Sequence, residues 1–523
     1  MRISCFPSLL LLAIACLFPL SAGAAVYVVT KTADSSDGSC NADCSLREAI
    51  LAANQLADAT NRIDLPPGTY RLSIPRDPQR FGNAIGNGSD GNLAVTRTLT
   101  IVGAGKDATI LDARPSVGAA GVDRVLGVAN TGNLTISGVT ITGGQTVQFG
   151  QGGGILVLCG VLAIRDSRVI DNAALSGGGG IALGGAGANP PASVAVTRCE
   201  IAENVAGSPA LGAQGGGLLN IQATMTIMES TIRDNTAWLS TGGGIMNIDT
   251  QNRPNPAALL TVMRSTIVGN LAGDPDGLSI FEGVGGGIYN SGGLLRLTNS
   301  TVTGNEAVPS FAQGFGPVPG TGRGGGVAHQ LLLGDDPEDG TSIVNSTIAY
   351  NVAFTGSQLY GSDTVAPMRV ANTLVARDEG TAGNCASPST AVGIDSFGGN
   401  LSSDASPCFF DDPRDQPGVA PGLETLLADN GGPTETLALL EGSAAIGKGR
   451  LESCPELDQR GVTRNEACDV GAYELAPEAD ATALGFAATA GLVALRLRAA
   501  RFACSATNAA TPAAKAPGSG VSA

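Results

Sequence analysis

Three carboxylates at the same position of a repeated motif are the residues best placed to do chemistry. Asp171, Glu203 and Asp234 each stand tenth in an eleven-residue segment, in three consecutive copies. If the copies stack as adjacent strands, the carboxylates lie about 5 Å apart. Hard oxygen ligands at that spacing suit calcium, and a carboxylate pair could also cleave a glycosidic bond. A solvated edge screened by salt and by Arg233 is the alternative, so the row is a candidate calcium site and no residue is assigned a catalytic role.

Other charged residues have plainer interpretations. The fifth positions of successive segments alternate in charge, which predicts an exposed ladder of ion pairs formed by Asp166, Arg198, Glu229 and Arg264. The acidic run at 335–339 is interpreted as a solvated loop tip, with calcium binding as the alternative. His329, the only histidine, is interpreted as incidental rather than as a general base. An elimination-type polysaccharide lyase combines calcium-binding acids with a basic Arg or Lys, and no such set forms a recognisable motif.

These residues belong to a repeat that organises the middle of the chain. Seven segments align without gaps, with starts 28, 32, 31, 35, 35 and 46 residues apart; they begin at Leu134, Leu162, Val194, Met225, Leu260, Leu295 and Thr341. Their first, third and eighth positions are apolar apart from Thr341, which predicts two short strands meeting at a corner. The eleventh position is Asn in six copies: Asn172, Asn204, Asn235, Asn270, Asn305 and Asn351. We expect these Asn residues to take the left-handed conformation of a sharp turn and to stack along the axis.

A glycine triplet followed by an apolar residue recurs between the segments. Its six copies begin at Gly152, Gly178, Gly215, Gly242, Gly285 and Gly324. A phosphate-binding loop would need one copy opening a helix, followed by Lys and Ser or Thr, so six copies instead predict a turn shared by every coil. Three short strands per coil of roughly 30 residues predict a right-handed parallel β-helix, assigned to 61–415. Insertions such as 308–321 are expected to project from the turn before the triplet, where binding loops could lie.

The repeats resemble the pectate-lyase-like right-handed β-helix superfamily. Their paired Ile-x-x-Asn and Gly-Gly-Gly-Ile elements are also similar to repeats of polymorphic outer-membrane proteins. The resemblance covers about 134–351 and implies the fold. For function it implies only a scaffold that lyases, hydrolases, adhesins and tailspikes share.

A short amphipathic helix is predicted ahead of the repeats, next to Cys40 and Cys44. Ser45 and Glu48 form a capping box, and the apolar residues share one face, so the helix can close the open end of the coil stack. Arg47 and Glu48 point in different directions on the helix, which favours capping over catalysis. The segment resembles the CSLREA domain of exported repeat proteins, which implies an N-terminal cap over 25–60.

The segment 416–474 resembles the choice-of-anchor Q domain. The match rests on LADNGGPTET at 427–436, DQRG at 458–461 and CDVGAYE at 468–474. It implies a module just upstream of an attachment signal. That family usually has His and Asp where this chain has Leu437 and Gly447, which argues against a catalytic motif.

Both termini predict export. Residues 1–24 have the basic start, apolar stretch and small residues of a signal peptide cleaved after Ala24, with lipidation of Cys16 as the alternative. Residues 475–501 resemble a sorting tail of the PEP-CTERM or Myxo-CTERM kind, and a short membrane anchor is the alternative. Residues 502–523 are interpreted as a flexible tail.

The cysteines predict disulfides. Of 11, Cys5 and Cys16 lie in the signal and Cys504 in the tail, which leaves eight. An even number in an exported chain favours pairing, and a zinc site is disfavoured because no histidine lies near any pair. The predicted pairs are Cys40–Cys44, Cys385–Cys408, Cys454–Cys468 and, by elimination, Cys159–Cys199.

Composition narrows the function. A net charge of −16 disfavours a nucleic-acid partner and favours calcium or a cationic surface. We therefore predict an exported monomer at the cell surface, in the outer membrane or outside the cell. Residues 475–501 are predicted to associate with the membrane. Its predicted role is structural, adhesive or carbohydrate-binding, with extracellular polysaccharide or cell-surface components as partners. A polysaccharide lyase or glycoside hydrolase is the alternative.

Overall fold

A computed structural model describes residues 25–475, except 57–60, 130, 147–148, 185–191, 250–257, 278, 313–315, 331–339, 363–366, 379–381, 389–392 and 406–407. The described residues up to Glu474 belong to one compact unit. The predicted signal peptide, the acidic run at 335–339 and the tail beyond 475 lie outside the described residues. Within the described part, no helix is long and apolar enough to span a membrane.

The chain winds as a right-handed parallel β-helix whose described strands form four parallel sheets, here named A to D in chain order; sheet C receives a strand from only six of the coils. Three strands per coil were expected. The fourth strand, which belongs to sheet C, is short and lies between the Asn turn and the glycine triplet. Equivalent residues of successive coils are in register, as in the pairs Leu134–Leu162 and Leu162–Val194. The repeat aligned in the sequence is therefore the structural repeat.

The strands of each sheet, among the described residues, are as follows. Sheet A contains Val26–Val28, Asn61–Leu65, Thr98–Gly103, Asn133–Ser137, Val161–Arg165, Ser193–Thr197, Thr224–Met228, Leu259–Met263, Leu294–Thr298, Thr341–Val344, Met368–Ala371 and Ile394–Ser396. Sheet B contains Gly68–Arg71, Thr109–Asp112, Thr140–Thr142, Arg168–Ile170, Glu200–Ala202, Thr231–Arg233, Thr266–Val268, Thr301–Thr303, Thr347–Ala349, Leu374–Ala376, Leu401–Ser402 and Gln416–Pro417. Sheet C contains Ala173–Ala174, Val205–Ala206, Thr236–Trp238, Leu271–Gly273, Glu306–Ala307 and Val352–Ala353. Sheet D contains Leu93–Val95, Leu126–Val128, Ile155–Leu158, Ile181–Gly184, Leu218–Ile221, Ile245–Ile248, Ile288–Ser291, Val327–Gln330, Leu359–Gly361 and Cys385–Ala386.

The apolar repeat positions fill the interior of the coil stack. Leu162, Ile164 and Val169 occupy the first, third and eighth positions of one segment, and each is fully buried. Burying an aliphatic side chain of this size contributes about 1.5–3 kcal/mol to the free energy of unfolding. Because each coil buries these side chains against its neighbours, the stack is stabilised mainly by contacts between coils.

The corners use left-handed residues, but these are not the Asn residues. The positive φ falls on the tenth position, including Asp171 at 54° and Asp234 at 54°, so the predicted left-handed backbone at the eleventh position was wrong. The predicted stacking of the eleventh side chains along the axis is confirmed. The eleventh side chain instead turns inward: Asn204 Nδ2 donates to Asn235 Oδ1 at 3.0 Å and to the Val169 carbonyl at 2.9 Å. The inward stack of Asn side chains satisfies the hydrogen bonds of buried backbone groups. The left-handed residue of the turn lies one position earlier.

The glycine triplets form the shared turn between sheets C and D. The first glycine has a left-handed backbone, as at Gly242 with φ 69°. A Cβ on the second, Gly243, would lie 2.4 Å from the carbonyl oxygen of Gly286 in the next coil. Glycine is needed there because adjacent coils approach backbone to backbone. The insertion 308–321 lies just before such a triplet, as expected, and carries a small hairpin of Phe311–Ala312 and Gly316–Pro317.

The predicted helix caps the N-terminal end of the stack. It spans Leu46–Gln55, and the Ser45–Glu48 capping box is present. Arg47 is buried and pairs with Asp34 at 2.7 Å, while also donating to the carbonyl of Gly91 at 2.9 Å. Both charged residues of this motif therefore hold the cap in place.

Residues 421–474, here called the C-terminal segment, fold back along the side of the β-helix. The C-terminal segment contains a short 3-10 helix at Leu451–Ser453 and packs on the outer face of sheet B. Leu437 of this segment is buried with Leu374 and Leu401 of sheet B. The segment predicted as a separate module at 416–474 thus belongs to the same compact unit as the coils.

Among the described residues there are three disulfides, which confirm three of the predicted pairs: Cys40–Cys44, Cys385–Cys408 and Cys454–Cys468. The predicted pair Cys159–Cys199 was wrong, because both are free thiols. Cys159 lies at the end of a sheet D strand, whereas Cys199 lies inside the corner between sheets A and B. There Cys199 takes the place of Ser in an inward hydroxyl ladder, and its amide donates to Ser230 Oγ at 3.1 Å. Burial raises the pKa of Cys199 to about 12, so the thiol is unreactive.

Candidate functional site

One stretch of sheet B is left uncovered by the C-terminal segment. The segment covers the coils from Thr266 onward: Thr266 Oγ1 donates to the Glu435 carbonyl at 2.6 Å and Thr301 Oγ1 to Gln459 Oε1 at 2.7 Å. In the preceding coils the same outward position is held by Arg168, Glu200 and Thr231. Where the cover stops, a groove of about 950 Å³ opens.

This space is called the sheet B groove. Its floor is the outer face of sheet B together with the corner between sheets A and B. Its end wall is the tip of the C-terminal segment. The side chains that line it include Lys106, Asp107, Asp166, Arg198, Glu200, Glu229, Thr231, Arg233, Thr434 and Glu435.

Glu200 is at the centre of the charged floor. Arg168 Nε lies 2.9 Å from one of its oxygens, and an Arg233 nitrogen lies 2.6 Å from the other. Burial alone would raise the pKa of Glu200, but the hydrogen bonds and charges of Arg233 and Arg168 outweigh it and lower that pKa. Glu200 therefore stays ionised and cannot serve as a general acid near neutral pH.

The predicted charge ladder forms the edge of the groove. Arg198 pairs with Asp166 through two hydrogen bonds of 2.7 and 2.9 Å and lies 3.8 Å from Glu229. Glu229 also pairs with Arg264. Hydrogen bonding to Arg198 lowers the pKa of Asp166. The groove thus presents donors and acceptors most of which are already held in ion pairs.

The carboxylate row does not gather into a ligand cluster. Asp171, Glu203 and Asp234 are more than half exposed at left-handed turns. Arg114 lies 2.8 Å from Asp171, and Arg233 lies 2.7 Å from Asp234 and 3.9 Å from Glu203. No group of three His, Cys, Asp or Glu residues among those described could hold a metal ion. The sequence predicted a calcium site here, and in the structure arginines already relieve the repulsion on which that prediction rested.

His329 is fully buried on the inner side of sheet D. Its Nδ1 lies 3.1 Å from Thr341 Oγ1 and 3.3 Å from Asn290 Nδ2. This pairing also explains why Thr341 interrupts the apolar first position of the repeat. The histidine is part of a buried polar contact and does not line the groove.

The sequence analysis missed the residues that form the groove floor. Glu200 of the floor and its ion-pair partner Arg168 hold the seventh position of their segments, where the five other copies all have Thr. The change from Thr to a charged residue in these two copies is visible in the sequence. It indicates a groove only once the position of the C-terminal segment is known, and the tip of that segment contacts sheet B from 169 residues away in sequence.

Comparison with known proteins agrees with the fold. The family model of the right handed beta helix region matches residues 124–327. Among solved structures, the chain is similar to pectate lyase Pel9A, with 18% identity over 87% of this chain and 97% of that one and a TM-score of 0.44. It is also similar to XylC in complex with xylose, with 11% identity over 86% and 98% and a TM-score of 0.40. The A-module of the mannuronan C-5 epimerase AlgE4 of Azotobacter vinelandii matches at 13% identity over 68% and 88%, with a TM-score of 0.29. No curated protein matches the chain.

Proposed function

We propose that this chain is an exported β-helix protein that binds a carbohydrate in the sheet B groove, in a structural or adhesive role at the cell surface. The observation that carries the proposal is the groove itself, with its ion-paired floor. Its volume lies within the range of small-ligand sites, and its open shape suits a short stretch of a polymer.

The chemistry of the floor favours hydroxyl-rich ligands. Arg168, Glu200 and Arg233 form a fixed row in which donors alternate with acceptors. Each of the three already has an ion-pair partner, with Asp107 on Arg168 and Asp234 on Arg233, so a neutral sugar can bond to them without leaving a buried charge unpaired. Sugar hydroxyls both donate and accept, so they match such a row.

Export is supported by the sequence and by the disulfides. Three cystines are typical of a chain that folds in an oxidising compartment. The signal-like start, the CSLREA-like cap and the anchor-like C-terminal segment support surface attachment. Fractionation of the full chain against one ending at Glu474 tests this: release of both into the medium in equal amounts would contradict attachment.

Titration calorimetry of the mature chain with neutral and acidic oligosaccharides tests binding. We expect at least one neutral oligosaccharide to bind. Thr231→Trp, which fills the groove floor, should abolish that binding, and Glu200→Gln should weaken it about tenfold. Glu282→Gln is the matched control, because Glu282 pairs with Arg323 at 3.0 Å outside the groove.

Two results would overturn the proposal. One is the absence of binding to every oligosaccharide. The other is an equal loss in Glu282→Gln and Glu200→Gln. Release of reducing ends or of unsaturated products during the same titrations would instead support the alternative function, a polysaccharide-cleaving enzyme that uses carboxylates of the groove.

A further inference from the structure

A second concave site lies on the outer face of sheet A, away from the sheet B groove. It is a pocket of about 240 Å³ near the C-terminal end of the coil stack. Arg296 and Arg369 line it, with Ser342 between them and with Leu294 and Pro367 as apolar wall. None of the described residues that line the pocket is acidic.

The strand register sets the spacing of the two arginines. Arg296 is paired with Ser342, and Ser342 with Arg369, so the three stand on consecutive coils and point to the same face. Two strand spacings separate the arginine backbones by about 10 Å. The small Ser342 side chain leaves the space between the two guanidinium groups open.

Neither arginine has an ion-pair partner among the residues that the structure describes. Most arginines of the described chain pair with Asp or Glu, but Arg296 and Arg369 form none of the ion pairs found among the described residues. Asp395 follows Arg369 on the next coil and is not within ion-pair distance of it. Both guanidinium groups are exposed and therefore available to a ligand.

Two unpaired arginines in one pocket contrast with the charge of the whole chain. The net charge of −16 repels anions at long range. A local basic pocket can still bind an anion, because a guanidinium group donates two parallel hydrogen bonds to a planar or tetrahedral oxyanion. Ser342 can add a hydroxyl donor between them.

We propose that the pocket formed by Arg296, Ser342 and Arg369 binds a single oxyanion, either a carboxylate or a sulfate ester, presented by an acidic ligand. The proposal does not depend on the sheet B groove, since it concerns another sheet and another ligand chemistry. Leu294 and Pro367 give the ligand an apolar surface beside the charged group, which favours an oxyanion attached to an organic body.

Calorimetry of the mature chain at low salt tests the pocket. The probes are sodium sulfate, sodium acetate, a sulfated trisaccharide and a uronic-acid trisaccharide, so that the preferred oxyanion and its source are distinguished. We expect at least one trisaccharide to bind more tightly than the free ions. Arg296→Gln and Arg369→Gln should each weaken that binding about tenfold, and the double variant should abolish it.

Arg97→Gln is the matched control, because Arg97 is also exposed and forms no described ion pair but does not line the pocket. It changes the net charge equally and should leave binding unchanged. Unchanged melting temperatures would show that the variants fold. Absence of binding by all four probes, or equal weakening by Arg97→Gln, would overturn the proposal.

Discussion

At both corners that flank sheet B, one residue per coil has a left-handed backbone. Asp166 and Arg198 hold this position at one corner, and Asp171 and Glu203 hold it at the other. A positive φ is uncommon in residues other than Gly, and Asp and Asn adopt it more readily than most. The carboxylate row coincides with these left-handed turns, and the sequence pattern alone could not separate turn geometry from metal binding.

The row predicts how the protein responds to calcium. Because Arg114 and Arg233 already face these carboxylates, we expect calcium and a chelator to leave the melting temperature unchanged. Replacing Asp171, Glu203 and Asp234 by amides should alter stability by less than about 1 kcal/mol, since exposed pairs contribute little. A calcium-dependent rise in melting temperature that the triple variant loses would restore the calcium site.

The inward Asn side chains, unlike the exposed carboxylates, are buried and are expected to contribute strongly to stability. Asn235 accepts from the Asn204 amide at 3.0 Å and donates to the Ile201 carbonyl at 2.9 Å, entirely within the core. Asn235→Ala leaves both groups unpaired, so we expect a loss of about 2–4 kcal/mol in the free energy of unfolding, measured by denaturant titration. Asp234→Asn, one residue earlier and exposed, is the control. Equal effects of the two substitutions would contradict a structural role for the stack.

At the scale of elements, short-range sequence patterns predicted the main strands, the glycine turns and the N-terminal helix. The strand alternation, the glycine triplets and the Ser45–Glu48 box each act within one coil or one helical turn, so each could be predicted from neighbouring residues. The fourth sheet was missed because a two-residue strand such as Ala173–Ala174 has too few residues to show a period. The free thiols were missed because elimination ignores which corner each cysteine occupies.

The N-terminal cap predicts an acid-sensitive element. Burial would raise the pKa of Glu48, but hydrogen bonds from the Ser45 amide, the Ser35 hydroxyl and the Asp37 amide, with the charge of Lys31, lower it to about 2 from 4.5. A lowered pKa means that the contribution to stability is complete above the unfolded value and disappears as the pH falls toward 2. The shift corresponds to about 3 kcal/mol. Glu48→Gln should flatten the decline in unfolding free energy between about pH 4.5 and 2; a decline as steep as that of the parent would contradict this role.

At the scale of the whole molecule, the decisive contacts join residues far apart in sequence. The C-terminal segment lies along sheet B and thereby defines where the groove begins. Its motif residues are structural: Glu474 is buried and accepts from the amide of Asp469 at 2.9 Å and from Arg464 at 2.9 Å. The sequence identified the motif but not its docking site, because no local pattern specifies which face of a solenoid a later segment covers.

Arg464 offers a test of that docking. It is nearly fully buried, donates to Asn299 Oδ1 of the coil stack at 2.9 Å and to the Gly471 carbonyl at 2.8 Å, and pairs with Glu474. Arg464→Gln leaves the Glu474 carboxylate buried without its partner, which costs about 3–5 kcal/mol. We expect the amides of 421–474 to exchange hydrogen faster while those of sheets A and D stay protected, since the stack does not depend on the segment.

The double variant Arg464→Gln with Glu474→Gln serves as the control, because it removes the unpaired charge and should recover part of the lost protection. The same single variant should also weaken ligand binding in the sheet B groove, since Thr434 and Glu435 form its end wall. If exchange instead accelerates throughout the coils, the segment is an integral part of the stack and not a cover laid on its side. The groove would then be a fixed feature of the solenoid, independent of how the segment docks.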